Sequence, residues 1–299
     1  MIDRESFLKV SANVLFDEPM KLHTSFKIGG NADVFISVSD IDEIKAVVGL
    51  CKKEGVPYMI MGNGTNMLVG DGGIRGAVIQ LRGGLQEYSV AGETVTAQSG
   101  ILMSKLASVL MREGLSGFEA LSGIPGTLGG GIYMNAGAYG SEIKDVVKEV
   151  TYITPDGEVK TSCADELDFS YRHSMFCGGK YIILSAVLKL KKGEKDKIKA
   201  ETDEYNRRRC EKQPLNMPSA GSTFKRPEGY FAGKLIQDAG LMGYTVGGAQ
   251  VSEKHAGFVV NCGGATAKDV TELIEYIKNT VKEKSGVELV PEIRLIGEG

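Results

Sequence analysis

A two-residue alternation of apolar and polar positions is clearest in ADVFISVS, residues 32–39, and predicts a half-buried strand. The period then changes. Ile44, Val47, Val48 and Cys51 recur at helical spacing, Asp40 stands ahead of them as an N-cap with Glu43 completing a capping box, and Gly55 ends the run. VPYMIM follows as a short buried strand, and then GNGTN. AVIQLRGG and YSVAGETVTAQSG read as strands, the latter a pair joined through Gly92, and a helix is expected from about Ile101 to Glu113, closed by Gly114. VKEVTYITPDGEVKTS predicts a hairpin turning at Pro155, Asp156 and Gly157, and YIILSAVLKL another strand. A charged helix, roughly Glu194 to Lys212, is stopped by the prolines of QPLNMP, where a domain boundary is expected. Beyond it lie a helix in GYFAGKLIQDAG, strands in TVGGAQVS and GFVVNCGG, a helix from about Ala267 to Lys284, and a closing strand in VELVPEIRLIG. A strand–helix–strand opening followed by hairpins belongs to an α/β or α+β class. No fixed repeat interrupts it.

Composition narrows the function. The 299 residues, 42% hydrophobic with net charge −3, leave room for two or three domains. No apolar run reaches the about 18 residues of a membrane span, and MIDRESFLKV is too charged for a secretory signal, so a soluble cytoplasmic protein is expected. Cys51, Cys163, Cys177, Cys210 and Cys262 are scattered and odd in number, which argues against a disulfide framework. His23, His173 and His255 lie far apart, so no metal site is expected. The charge is near neutral with no basic stripe, so nucleic acid is not an expected partner either.

The forty glycines are unevenly placed. LSGIPGTLGGGIYMNAGAYG, residues 121–140, holds seven glycines in twenty residues around one amide, Asn135. Tight turns need one or two glycines, so this stretch points to a backbone that something else approaches closely. GNGTN, residues 62–66, is as consistent with ordinary turn chemistry as with an anion-binding loop. It opens like a dinucleotide fingerprint but has Met67 at the third glycine position, so that fold is excluded. Gly229 to Lys234 falls one residue short of a phosphate-binding P-loop and continues with Leu235 instead of a hydroxyl residue. The two glycine-rich segments can still hold a pyrophosphate through main-chain donors.

GNGTNMLV, GIPGTLGGGIYMNAGAYG, YRHSMF, AGSTFKRP and PEIRLIG occur in this order between about Lys27 and Gly297. Together they resemble the bacterial UDP-N-acetylenolpyruvoylglucosamine reductases (MurB), flavoenzymes of peptidoglycan precursor synthesis. The resemblance implies an α+β fold: a two-lobed FAD-binding domain of the vanillyl-alcohol-oxidase-like (PCMH) type with a C-terminal α+β substrate-binding domain. On this reading residues 1–80 and 81–205 form the two lobes, 206–290 the substrate domain, and 291–299 a strand returning to the active site. It implies non-covalent FAD, held by Gly62, Asn63, Gly64, Thr65 and Asn66 in one segment. In the other the implied residues are Gly123, Ile124, Pro125, Gly126, Thr127, Gly129, Asn135, Gly137 and Ala138.

The family's reaction turns an enolpyruvyl ether into a lactyl ether in two hydride steps, from NADPH to FAD and from flavin to C3 of UDP-N-acetylglucosamine enolpyruvate. Hydride at C3 leaves negative charge at C2 delocalised into the carboxylate, so the site needs donors there and an acid at C2. By resemblance Arg172 holds the carboxylate, Ser222 protonates C2, and Glu292 is the third catalytic residue, protonated or oriented by Arg172 or Arg294. Read alone, Arg172 is better taken as a surface ion-pair arginine and Ser222 as a turn serine, while Glu292 is as readily a strand-edge charge. Lys212 and Arg226 flank Ser222 as partners for the substrate diphosphate, and Gly221 suggests a close backbone approach. His255 reads as an ordinary half-buried histidine. Only fifty residues separate Arg172 from Ser222, matching a shorter type without a tyrosine-bearing loop. A histidine-tethered FAD oxidase and a binding module without chemistry are the alternatives. Against them stand the absence of histidine from both glycine segments and the joint presence of Arg172, Ser222 and Glu292. No membrane or obligatory protein partner is implied.

Overall fold

A computed structural model describes residues 2–299. The chain forms two compact units, each from discontinuous segments. The first contains residues up to Phe16, Val34–Asn63 and Gly76–Arg209; the second contains Asp17–Asp33, Gly64–Arg75 and Cys210–Gly299.

The first unit has two hydrophobic cores. One lies against a four-stranded sheet ordered Val14–Pro19, Asn31–Ser37, Ile74–Gln80, Tyr58–Met61, in which the last two run parallel with Tyr58 opposite Ala77. Strand Tyr58–Met61, expected to be buried, is buried only at Met61. The helix Ile41–Glu54 buries the Ile44, Val47, Val48 and Cys51 stripe that its spacing predicts. Asp40 caps it by accepting from Glu43 N at 2.8 Å, and Gly55 ends it at φ 65°. The expected capping box is not closed, because Glu43 accepts from Ser39 N at 2.6 Å instead of from Asp40. An N-terminal helix, Arg4–Val10, and the strand Val14–Pro19 were not legible in the pattern.

The other core backs a five-stranded antiparallel sheet ordered Val159–Cys163, Val147–Ile153, Ile182–Lys189, Thr94–Gln98, Tyr88–Ala91. The predicted hairpin turn is present, with Gly157 at φ 90° donating to Thr154 O at 2.9 Å. The helix Met103–Arg112 buries Met103, Leu106 and Leu110 in this core. Inside the glycine stretch lies a helix that propensity argues against, Leu128–Tyr133, with sequence LGGGIY. Thr127 caps it through Oγ1, accepting from Gly130 N at 3.3 Å.

In the second unit Phe26, Ile28 and Leu68, from early segments, share a core with Ile236, Val251, Val270 and Ile277. Burying a side chain such as Phe26 contributes about 1.5–3 kcal/mol, which explains why residues 17–33 and 64–75 group here and not with the rest of the expected first lobe. The helix Ala267–Ser285 has a closed capping box between Thr266 and Asp269 and ends at Gly286, φ 72°. The strand Arg294–Ile296 runs parallel to Met67–Val69, directly after the GNGTN segment.

Asp71 fixes that strand's trailing loop to the helix, since its carboxylate accepts from Ala267 N at 2.8 Å and Lys268 N at 3.0 Å. We predict that Asp71→Ala lowers stability in urea unfolding by about 1–2 kcal/mol, the usual loss when a helix N-terminus is stripped of its acceptor. An unchanged midpoint would show that solvent satisfies those two N–H groups equally well.

Candidate active site

In the first unit the two glycine-rich segments touch. A Cβ on Gly62, just past strand Tyr58–Met61, would sit 2.4 Å from Thr127 Oγ1, and Asn63 Nδ2 donates to Pro125 O at 2.5 Å. The stretch also lies tight on the neighbouring chain: a Cβ on Gly129 would come within 2.8 Å of Ser99 Cβ, and Gly129 N donates to Ser99 O at 2.8 Å. Gly126 O accepts from Met103 N at 3.0 Å, and Ile124 N donates to Leu121 O at 3.1 Å. Gly123 faces the charged helix Lys195–Lys212, where a Cβ would meet the Arg209 guanidinium at 2.5 Å. Gly137–Ala138 pairs with Ser141–Glu142 in a small two-stranded ribbon.

Two hydroxyls here escaped the sequence reading. Ser99 Oγ and Ser122 Oγ are buried and have no hydrogen-bond partner among the described residues. Their only sequence signal is position: Ser99 closes a strand before Gly100, and Ser122 precedes the first glycine of the stretch. Side-chain-free backbone beside buried, unmatched hydroxyls is a wall suited to a large polar ligand such as FAD. That fit extends to Gly62, Asn63, Pro125 and Thr127.

Asn135 requires a correction. It was expected to offer its amide to a cofactor, but it is fully buried, and Nδ2 donates to Glu142 Oε2 at 3.0 Å and Ser170 O at 2.9 Å. Its Oδ1 accepts from Lys144 N at 3.1 Å. Both amide hydrogens therefore serve the protein itself. Arg172, in the same unit, is half-buried, donates from Nη2 to Gly137 O at 3.0 Å and lies over the Tyr171 ring.

In the second unit the rest of GNGTN meets the AGSTFKRP and PEIRLIG motifs. Gly64, at φ 62°, accepts at its carbonyl from Ser25 N at 3.1 Å. After Thr65, Asn66 O accepts from Arg294 N at 3.0 Å, and Asn66 Nδ2 donates to Glu292 O at 3.3 Å. Glu292 N donates to Thr223 O at 2.8 Å, which aligns Glu292 with the segment carrying Ser222. Ser222 is exposed and Glu292 half-buried. Gly221 takes a left-handed backbone at φ 79°, which by itself favours glycine, and a Cβ there would meet no protein atom within 4 Å. Lys212 is exposed at its helix end. Arg226 is also exposed, donates from Nε to Tyr230 O at 3.2 Å and stacks over Phe231 at 3.9 Å. His255 accepts at Nδ1 from Gly257 N at 3.1 Å, and burial, assisted by the Lys212 charge, lowers its pKa. Among the described residues no cluster of His, Cys, Asp and Glu is suited to a metal, and no helix is long and apolar enough to cross a membrane.

A family model described as an FAD binding domain matches residues 32–162. A solved structure titled Physcomitrella patens BBE-like 1 variant D396N shares the fold at TM-score 0.51 and 16% identity, over 63% of this chain and 44% of that one. The flavin-domain match and the fold thus define an α+β flavoprotein with a PCMH-like FAD-binding domain and a separate C-terminal domain. A second model, UDP-N-acetylenolpyruvoylglucosamine reductase, C-terminal domain, matches residues 213–296. A curated UDP-N-acetylenolpyruvoylglucosamine reductase from Caldanaerobacter subterraneus subsp. tengcongensis is 50% identical over 100% of this chain and 98% of its own. Another, from Alkaliphilus oremlandii, is 54% identical over 95% of this chain and 94% of its own. The crystal structure of MurB from Thermus caldophilus superposes at TM-score 0.81 with 36% identity, over 95% of this chain and 98% of that one. The chain belongs to the UDP-N-acetylenolpyruvoylglucosamine reductase family, and its cofactor is FAD.

Two outcomes follow from this geometry. Gly62→Ala should push Thr127 aside and lower the flavin content of purified protein severalfold, read as flavin absorbance per protein; full occupancy would remove Gly62 from the cradle. His255, with a folded pKa below its unfolded value of 6.5, binds fewer protons folded than unfolded. Its contribution is therefore complete above pH 6.5 and lost as pH falls below it. Urea unfolding at pH 7.5 and pH 5 should show a larger acid loss in wild type than in His255→Gln. Equal losses would mean that His255 titrates alike in both states.

Proposed function

We propose that the protein reduces UDP-N-acetylglucosamine enolpyruvate to UDP-N-acetylmuramate with NADPH, a step in peptidoglycan precursor synthesis in the cytoplasm. The supporting observation is the main-chain hydrogen bond from Glu292 N to Thr223 O, which joins the segment carrying the exposed Ser222 to the segment carrying Glu292.

When bound, FAD supplies the redox chemistry, taking hydride from NADPH and giving it to C3 of the enolpyruvyl group. The chain's own residues handle charge and protons. Arg172 holds the substrate carboxylate, where a guanidinium stays ionised as negative charge grows during reduction. Ser222 Oγ gives its proton to C2, which fixes the new C–H bond on one face. Glu292 belongs to the same proton inventory: a carboxyl group there can return the proton that Ser222 loses. Lys212 and Arg226, both exposed, are assigned to the diphosphate. NADPH and the enolpyruvyl substrate use one site in turn, and the chain is of the shorter type, without a tyrosine-bearing lid.

Ser222→Ala separates the two half-reactions, provided that its flavin content is first shown to be normal. Reduction by NADPH involves no proton at C2 and should proceed at close to the wild-type rate. Reoxidation by the enolpyruvyl substrate should slow by about 10²–10⁴, the usual worth of a placed general acid. Ser222→Cys should recover part of that loss. If anaerobic stopped-flow shows both steps equally impaired, Ser222 is structural; if neither is impaired, the proton comes from another group.

A further inference from the structure

Arg172 stands in an unusual place for the residue that must aim a guanidinium. Ser170 and His173 exchange both backbone hydrogen bonds, at 3.2 and 3.1 Å, so Tyr171 and Arg172 form a two-residue hairpin tip. Arg172 occupies the left-handed region there, at φ 55°, which side chains other than glycine and asparagine rarely adopt. A strained tip holds one geometry only where its surroundings dictate it.

Those surroundings come from one short piece of the glycine stretch. Asn135 Nδ2 donates to Ser170 O at 2.9 Å, the same carbonyl that accepts from His173 N and closes the hairpin. Two residues on, Gly137 O accepts from Arg172 Nη2 at 3.0 Å. The hairpin is thus tied to residues 135–137 twice, through the Ser170 carbonyl that closes it and through the Arg172 guanidinium. Asn135 is itself rigidly placed: fully buried, at φ 41°, with Glu142 Oε2 and Lys144 N as its other partners. Further stitches hold the same hairpin's far side, where Ser174 Oγ donates to Tyr133 O at 2.8 Å and Tyr133 Oη to Cys177 O at 2.7 Å.

We infer that Asn135 is a positioning residue for Arg172, fixing the hairpin tip from which the guanidinium meets the substrate carboxylate. This rests on the role proposed for Arg172 above. The residue type follows from the site. Glycine tolerates the left-handed backbone but carries no amide, aspartate tolerates it but cannot donate, and asparagine alone of the three supplies two donors and an acceptor.

Asn135→Gly therefore removes the tie without adding backbone strain. With flavin retained, reduction by NADPH should change by less than about threefold, while reoxidation by the enolpyruvyl substrate should slow by about 10–100-fold, as for a displaced positioning group. The substrate Kd, read from the flavin spectrum of oxidised protein, should rise in parallel. A double-mutant cycle isolates the route: in an Arg172→Lys background, adding Asn135→Gly should cost less than about threefold. The same loss in both backgrounds would overturn the inference, as would equal impairment of the two half-reactions. Should Asn135→Gly lose flavin, Asn135→Asp keeps the acceptor for Lys144 N and the backbone conformation. Loss of flavin there too, in step with a lowered Tm, would make Asn135 a scaffold residue and overturn the proposal. Wild-type protein that the substrate does not reoxidise would instead bring down the proposed function, and this inference with it.

Discussion

Close packing of side-chain-free backbone along residues 121–140 is the constraint on which the first unit depends. Gly62 lies against Thr127, and Gly129 against Ser99, so closely that an added Cβ would force a neighbour to shift. Ser99 after the strand Thr94–Gln98, Met103 at the start of the helix Met103–Arg112, and Arg172 on its hairpin are all hydrogen-bonded to this one stretch. Its short helix survives three glycines because tertiary contacts, a Thr127 cap and main-chain bonds to Ser99 and Ile101 replace the propensity it lacks. The same absence of side chains that lets the stretch pack leaves a wall that a flavin can lie against.

The second unit solves a different problem, that of presenting reactive groups from segments far apart in sequence. Asn66, Thr223 and Glu292 are joined by main-chain and amide hydrogen bonds, so the ends of three motifs share one register. The backbone segments that carry Ser222 and Glu292 are held together by these bonds. That rigidity suits a proton transfer, where small displacements are costly.

Much of this was legible in the sequence, and the rest was hidden for identifiable reasons. The helices Ile41–Glu54 and Ala267–Ser285 announced themselves through spacing and through capping residues within four positions, which are local signals. The helix Leu128–Tyr133 did not, because its stability is borrowed from partners elsewhere in the chain. The grouping of residues 17–33 with the C-terminal core follows from the burial of Phe26 and Ile28, which no local pattern reveals. At the site, Gly62, Asn63, Pro125 and Thr127 are nominated through the family resemblance, but the direction of the Asn135 amide is set by Ser170, 35 residues away. Ser99 and Ser122 were invisible, since a serine beside a glycine carries no distinguishing mark until its burial is known.

The central claim is that flavin chemistry in this chain serves an enolpyruvyl ether. It is tested most directly by reducing the purified holoprotein with one equivalent of NADPH under anaerobic conditions and then adding UDP-N-acetylglucosamine enolpyruvate. The account predicts immediate return of the oxidised flavin spectrum and one UDP-N-acetylmuramate formed per flavin. A flavin that stays reduced until oxygen is admitted, with no lactyl ether formed, would contradict it.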